Sequence, residues 1–364
     1  MKKRRLAIIG VGMVGIPVLM EILIGMSAHF QITIYSFIPI DKFKVPLGIR
    51  IRCMPRVPVH QRLKYFLVGI WFSIDHARSS FEVIHAQSAF PGGVMARFLG
   101  KLYRIPWMVT LIGGEVEAMP EVPFGDLLNH RLKNITYRVC SEAKVLTVMS
   151  EFQASSVRNN LNLKRKIEIL PYAPPVKRLQ EKEIVFPVKL LHVAYHHPVK
   201  NHEMLLLVLS RLVKQVACNL TIVGANYGQA FLKRMEELKL QDHIKMCGPK
   251  PYDEMERFYH ESHILIHTSW YEGLPTVAFE AMANGSVVCG THVGIMADLS
   301  RTHCLTVLPG RDEDLSEIIL GLIYNSERYK QLRKNAHGWA KDHDLNNYID
   351  QMTHLYDEII CAKM

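Results

Sequence analysis

The sequence predicts an α/β protein of two doubly wound domains, each a parallel sheet with helices on both faces. Short apolar runs of four to eight residues recur along the chain and alternate with amphipathic stretches of helix length, as strands buried on both sheet faces require. The alternation lapses around residues 171–189, where PYAPPVKRLQEKEIVFPV sets four prolines among mixed charges and reads as a linker. At 364 residues the chain also exceeds what one hydrophobic core usually serves.

In the first domain, residues 1–175, the strands read LAIIGV, ITIYSF, FEVIHA, WMVTLI, KVLTVMS and IEILPY. Gly10, Gly12 and Gly15 stand between the first strand and a helix and fit the Gly-x-Gly-x-x-Gly dinucleotide fingerprint. A nicotinamide enzyme would also need an acidic residue at the end of the second strand to hold a ribose. That strand ends Tyr35-Ser36-Phe37 and Asp41 arrives late, so an NAD-dependent oxidoreductase rests on the glycines alone. Between the second and third runs, Arg50, Arg52, Arg56, Arg62 and Lys64 precede a nearly all-apolar helix containing Phe66, Trp71 and Phe72. That segment reads either as a surface resting on an anionic membrane or as a core helix behind a solvated basic loop.

The second domain, residues 176–343, restarts the pattern as KLLHVAY, NLTIVG, HIKMCG, HILIHTS and SVVCGT, with helical stretches at 229–240 and 252–260 between them. From residue 344 the apolar positions Tyr348, Ile349, Met352, Leu355, Tyr356 and Ile359 keep helical spacing behind Asn346, a candidate cap. This last helix, residues 344–364, is expected to pack back toward the first domain. No fixed-period repeat points to a solenoid.

Charge is uneven: residues 1–175 hold 23 Lys and Arg against 11 Asp and Glu, and the remainder 21 against 23. A basic half meets nucleic acid, an anionic membrane or an acidic substrate equally well on composition alone. The seven cysteines show neither close pairing nor zinc spacing, which fits a reducing, cytoplasmic compartment. The start imitates a secretory signal, with LysLysArgArg before an apolar run, but Gly10, Gly12, Gly15, Pro17 and Glu21 break the run as a strand, loop and helix would. No stretch reaches the roughly 20 apolar residues that a membrane-spanning helix requires.

The chemistry concentrates in HTSWYEGLPTVAFEAMANG, where Glu272 and Glu280 flank a Gly273-Leu274-Pro275 turn. Pro275 suits a first helical position and Asn284-Gly285 a helix end, so the segment reads as strand, loop and a helix of about nine residues. Glu272 then lies in the loop and Glu280 in the helix. Among Ala278, Phe279, Ala281, Met282 and Ala283, an ionised Glu280 needs hydrogen-bond partners, and the adjacent hydroxyls of a ribose would supply two. The free amides near Thr276 and Val277 offer a phosphate site, which would put Glu272 beside a sugar on that phosphate.

With these residues the sequence resembles family 4 of the retaining glycosyltransferases, whose signature is two glutamates at this spacing before an Ala-Met-Ala-x-Gly helix end. FEVIHAQSAFPGG, IPWMVTLIGGE, Ser150-Glu151 and ILPYAP look like the family's landmarks in the first domain, and HVAYHHPVKNHEMLL like its donor-phosphate strand and loop. The resemblance implies the GT-B fold, two Rossmann-like domains facing across a cleft, and transfer of a hexose from a nucleoside-diphosphate sugar with the anomeric configuration kept. It implies Lys200 and Glu272 as the catalytic residues, and a donor site of Gly12, His197, Lys200, Gly224, Glu272, Gly273, Leu274, Thr276, Val277 and Glu280. Lys200 would stabilise the leaving diphosphate, and Gly12 would let the backbone approach it. Glu115 would lie on the acceptor side. No cofactor or metal is called for; Asp312-Glu313-Asp314 spells Asp-x-Asp but reads as a solvated turn after Pro309-Gly310. The implied partners are the nucleotide sugar and a glycan or polyprenyl-linked acceptor, not nucleic acid. The implied setting is cell-surface polysaccharide or glycolipid synthesis in the cytoplasm, at the inner face of the cell membrane if the acceptor is lipid-linked.

Two departures stand out. An arginine commonly precedes the lysine that matches Lys200, but here the stretch is Ala194-Tyr195-His196-His197-Pro198, with His196 and His197 as candidate substitutes. Ile112 stands where the family often carries a histidine that orients the sugar, while Glu115 keeps the acidic position. These departures motivate the rival reading of a catalytically silent scaffold that binds membrane or a partner transferase.

Overall fold

The computed structural model describes residues 3–10, 17–40, 48–57, 59–172, 174–224 and 227–361. The chain divides into two compact units. One comprises the chain up to Pro120, Phe124–Pro171 and the end from Leu345; the other comprises Glu121–Pro123 and Tyr172–Asp344.

The first unit holds β1 (Arg4–Gly10), α1 (Pro17–Ser27), β2 (Phe30–Ser36), β3 (Arg50–Cys53), α2 (Gln61–Arg78), β4 (Val83–Gln87), α3 (Val94–Tyr103), β5 (Trp107–Thr110), α4 (His130–Glu142), β6 (Val145–Val148), α5 (Glu151–Leu161) and β7 (Glu168–Ile169). The strands form one parallel sheet in the order β3-β2-β1-β4-β5-β6-β7. The apolar runs become strands because both their faces are covered: Leu6 to Ile9, Val83 and Ile84, and Met108 and Val109 have at most 1% of their surface exposed. β3 was not foreseen. Arg50 and Arg52, expected in a solvated loop, lie on this edge strand and bond the fully buried Asp75 of α2, which also receives the Tyr35 hydroxyl at 3.1 Å.

The second unit holds β8 (Val188–Val193), α6 (His202–Leu212), β9 (Cys218–Val223), α7 (Gln229–Glu237), β10 (Ile244–Met246), α8 (Tyr252–Glu261), β11 (Ile264–His267), α9 (Thr276–Ala283), β12 (Val287–Thr291), α10 (Ile295–Asp298), β13 (Leu305–Val307), α11 (Asp312–Ile323) and α12 (Ser326–Asp342). Its parallel sheet runs β10-β9-β8-β11-β12-β13. The Asp312-Glu313-Asp314 segment is the acidic first turn of α11 rather than a loop, and Asp312 and Glu313 pair with Arg211 at 3.1 and 2.6 Å. Acidic side chains are favourable at a helix start.

The last helix, α13 (Leu345–Cys361), belongs to the first unit. Its Tyr356 ring meets Phe30 edge-on at 5.2 Å, and its hydroxyl bonds His85 Nδ1 at 2.6 Å. Burial pushes the His85 imidazole down to about 3, so it stays neutral between Tyr356 and Thr110. The helix already includes Leu345, so Asn346 lies inside its first turn and does not cap it. Among the described residues no helix is long and apolar enough to cross a membrane.

Candidate active site

In the second sheet β8 and β11 are neighbours, but the chain leaves β8 toward β9 on one side and β11 toward β12 on the other. That reversal is the switch point where open parallel sheets take ligands at their carboxyl ends. Lys200 follows β8 and Glu272 follows β11.

The two loops are fixed by backbone bonds before any ligand is considered. After β8, His197 accepts the Val199 N–H on Nδ1 at 3.1 Å and caps a short 3-10 turn, Pro198–Lys200. Asn201, at φ +50, then caps α6 through the Met204 N–H. From the β11 side, the Trp270 N–H donates to Val199 O at 2.7 Å and the Thr268 hydroxyl to Lys200 O at 2.9 Å. With both backbones held, Lys200 Nζ lies 2.6 Å from Glu272 Oε1. Ser269 Oγ donates to the same oxygen at 2.7 Å, and His267 Nε2 stands 3.4 Å away. The two side chains are only 15% and 14% exposed.

Burial alone would push the Glu272 carboxyl up, but Lys200 and His267 together outweigh it and hold it down at about 2. The site therefore presents a largely buried ion pair whose carboxylate is held ionised. On the other side of Lys200, its ammonium sits 5.1 Å from the ring centre of Tyr195, a distance at which the aromatic face attracts a cation.

Glycines let backbones close on this site. Gly224 follows β9 at φ +146, and a Cβ there would fall 1.7 Å from O of Ala194, the residue after β8. Gly294, at φ +53, lies so close that a Cβ would come 2.8 and 2.9 Å from the carbonyl oxygens of Gly273 and Glu272.

Leu274 and Gly273 are buried in the turn that opens α9, and the Thr276 and Val277 amides fall in its first turn, where a helix has no acceptors of its own. Glu280 lies one turn further on. The Tyr259 hydroxyl of α8 donates to its Oε2 at 2.5 Å. Burial pushes the Glu280 carboxyl up to about 7 against the pull of that bond. α9 ends as the sequence suggests, with Asn284 closing the last turn and Gly285 at φ +71.

Lys200, Glu272, Gly273, Leu274, Thr276, Val277 and Glu280 thus converge around the β11–α9 turn, and His197 shapes the opposite loop. Gly12 lies outside the described residues. The His196 ring stacks on His202 with centroids 5.5 Å apart. In the first unit, Glu115 is 8% exposed and accepts the Ile112 and Gly113 amides at 3.2 and 2.6 Å, with its carboxyl pushed up by burial. These bonds hold the 112–115 loop.

Sequence reasoning missed Tyr259, Ser269, Tyr195 and Gly294. Ser269 and His267 were within reach of a motif reading, since both lie in the HTSWYEG run; Tyr259 comes from another helix and leaves no local signal.

Residues 176–339 match the family described as Glycosyl transferases group 1, and residues 41–173 match the Glycosyl transferase 4-like domain. An uncharacterized glycosyltransferase of Methanocaldococcus jannaschii is 25% identical over 339 residues, 91% of this chain and 90% of that one. The GDP-Man:Man(3)GlcNAc(2)-PP-Dol alpha-1,2-mannosyltransferase of Dictyostelium discoideum is 24% identical over 178 residues, 44% of this chain but 35% of that protein. In fold, sucrose-phosphate synthase from Thermosynechococcus elongatus superposes with a TM-score of 0.78 at 17% identity, covering 99% of this chain and 100% of that one. With matched domains in both halves and two Rossmann-like parallel sheets, the chain belongs to the group 1 glycosyl transferases and is a glycosyltransferase of the GT-B fold.

Proposed function

We propose that this chain transfers a hexose from a nucleoside-diphosphate sugar to a hydroxyl of a glycan or lipid-linked acceptor, keeping the anomeric configuration. The observation that carries this reading is the largely buried Lys200–Glu272 pair at the switch point, next to the first turn of α9, with Glu280 on that helix. A buried ion pair is a poor source of stability, because desolvation consumes most of its attraction. It suits a site whose ligand brings its own anionic group to Lys200.

In this reading the donor diphosphate sits between Lys200 and the first amides of α9, where cation and helix dipole both favour negative charge. As the sugar–phosphate bond breaks, charge grows on the leaving diphosphate, and Lys200 stabilises it with no reorganisation. Glu272, kept ionised, accepts hydroxyls of the donor sugar and fixes its orientation. Glu280 accepts the two ribose hydroxyls, an arrangement that favours its ionised form. The Dictyostelium relative is named for a dolichol-linked glycan, which supports a lipid-linked acceptor here.

The test is calorimetric binding of a panel of nucleoside diphosphates and their sugars to wild type and Glu280→Ala, followed by product analysis. Saturable binding by wild type that disappears in the variant supports the donor site and identifies the nucleoside. A product anomer opposite to that of the donor would overturn retention, and no binding by folded wild type would overturn the reading itself.

A further inference from the structure

We infer that the outer face formed by α2 and α3 of the first unit docks on an anionic lipid bilayer, inserting a stripe of apolar side chains inside a basic rim. A surface helix ordinarily turns one apolar stripe to the core and a polar one to water. α2 does not. Val68, Phe72 and Asp75 face inward, yet Leu63, Phe66, Ile70 and Ile74 are exposed on the other side, Phe66 by 63%. At about 100° per residue these four fall within a sector of about 80°. On the adjacent α3, Phe98 and Leu102 extend the patch, each 57% exposed. The two helices touch through the Tyr103 hydroxyl, which donates to Ser73 Oγ at 2.6 Å. Between them lies a groove of about 610 Å³ lined almost wholly by apolar side chains. A contiguous exposed apolar face of this kind marks an interaction site.

The rim names the occupant. Residues 48–111 contain nine Lys and Arg against two Asp and Glu, and one of the two acids, Asp75, is buried and neutralised by Arg50 and Arg52. On the helical wheel Arg62 and Arg78 lie about 40° to either side of the apolar sector. Arg56 precedes α2 and Arg104 follows α3, both exposed. None of these four arginines has an ion-pair partner among the described residues. A second copy of the chain on this face would bring like rims together across a two-fold interface, at a repulsive cost. An anionic bilayer instead attracts the rim by about fivefold in affinity per cation and takes the apolar stripe into its headgroup boundary. The inference stands on this face alone and holds or fails independently of the donor chemistry.

The test is sedimentation of the full chain with vesicles of phosphatidylcholine alone or mixed with phosphatidylglycerol. The chain should pellet with the anionic vesicles, and binding should weaken as salt rises toward about 1 M, where screening acts within about 3 Å. Phe66→Ser with Ile70→Ser should lower the partition constant by about tenfold or more, as should Arg62→Glu with Arg78→Glu. All four positions point to solvent, so thermal unfolding and donor binding should be unchanged, which separates lost docking from lost folding. Equal binding of wild type and both double variants to anionic vesicles would overturn the inference. So would failure of the folded wild type to bind anionic vesicles at low salt; if ultracentrifugation then showed a dimer that Phe66→Ser dissolves, the face would be a self-association surface.

Discussion

Replacing Glu280 by glutamine should make the ligand-free protein more stable while removing its grip on the donor. The Glu280 carboxyl is raised by burial from an ordinary 4.5 to about 7, with the Tyr259 hydroxyl pulling the other way. A group raised this far costs about 3 kcal/mol when it must ionise inside the fold. The sign follows from linkage. Below pH 4.5 the carboxyl is protonated in folded and unfolded chains alike and contributes no difference. Between 4.5 and about 7 the unfolded chain releases the proton and the folded chain keeps it, so stability falls as pH rises; above about 7 the loss is complete. Glutamine cannot ionise and its side-chain oxygen still accepts from Tyr259. The advantage of Glu280→Gln over wild type should therefore grow from pH 4.5 to 7 and level off. For a domain of this size, about 3 kcal/mol moves the thermal midpoint by about 6–12 °C. Scanning calorimetry of both proteins from pH 5 to 8 reads this directly. Nucleoside-diphosphate sugar should shrink the gap, since wild type, the tighter binder, gains more from it. A midpoint difference that does not change with pH, or a wild type more stable above pH 7, would refute the reasoning.

The same carboxyl should make donor affinity pH-dependent: the dissociation constant of the nucleotide sugar should rise by up to about tenfold per pH unit below 7, and calorimetry on Glu280→Gln should give weak binding that is flat with pH. Lys200→Met should lower single-turnover rates by about 10²–10³ and destabilise the fold by up to about 3–5 kcal/mol, because Glu272 is left without its main partner. Adding Glu272→Gln to that variant should restore stability in denaturant titrations but not turnover, and restored turnover would count against both roles. Gly294→Ala would drive a Cβ toward the carbonyls of Glu272 and Gly273, so turnover should fall while nucleoside-diphosphate binding through Glu280 persists; parallel loss of both in calorimetry and kinetics would show that the loop was not displaced locally.

How far the sequence disclosed this fold depended on whether a strand carries an apolar run of its own. Central strands are buried on both faces, so LAIIGV, FEVIHA and HILIHTS carry their strand character in composition. β3 and β13 lie at sheet edges with partly exposed residues, and their sequences RIRC and LTV are only four and three residues long and interrupted by polar ones. Each is a strand because a neighbour supplies its backbone bonds, as β2 does for Arg50 to Cys53. The same edge position reassigns Arg50 and Arg52: in sequence they are two more members of a basic run, and only the fold shows that they neutralise a carboxylate 25 and 23 residues away.

The site divides along a similar line. Lys200, Glu272 and Glu280 were legible because a loop, a proline and a helix end fix their spacing locally. What tunes them is not local. Tyr259 reaches Glu280 from α8, Tyr195 stands by Lys200 after β8, and Gly294 admits the Glu272 loop from α10. These contacts arise from how the elements pack. The missing arginine before Lys200 shows why this matters: the sequence directs attention to His196 and His197, yet the first turns inward to His202 and the second caps its own loop. The residue of that stretch that meets the ammonium is Tyr195, a neutral ring. Under the proposed donor reading, Lys200 would meet the diphosphate with an aromatic neighbour rather than a second cation from that stretch, so more of the charge developing on the leaving group would fall on Lys200 and the first turn of α9.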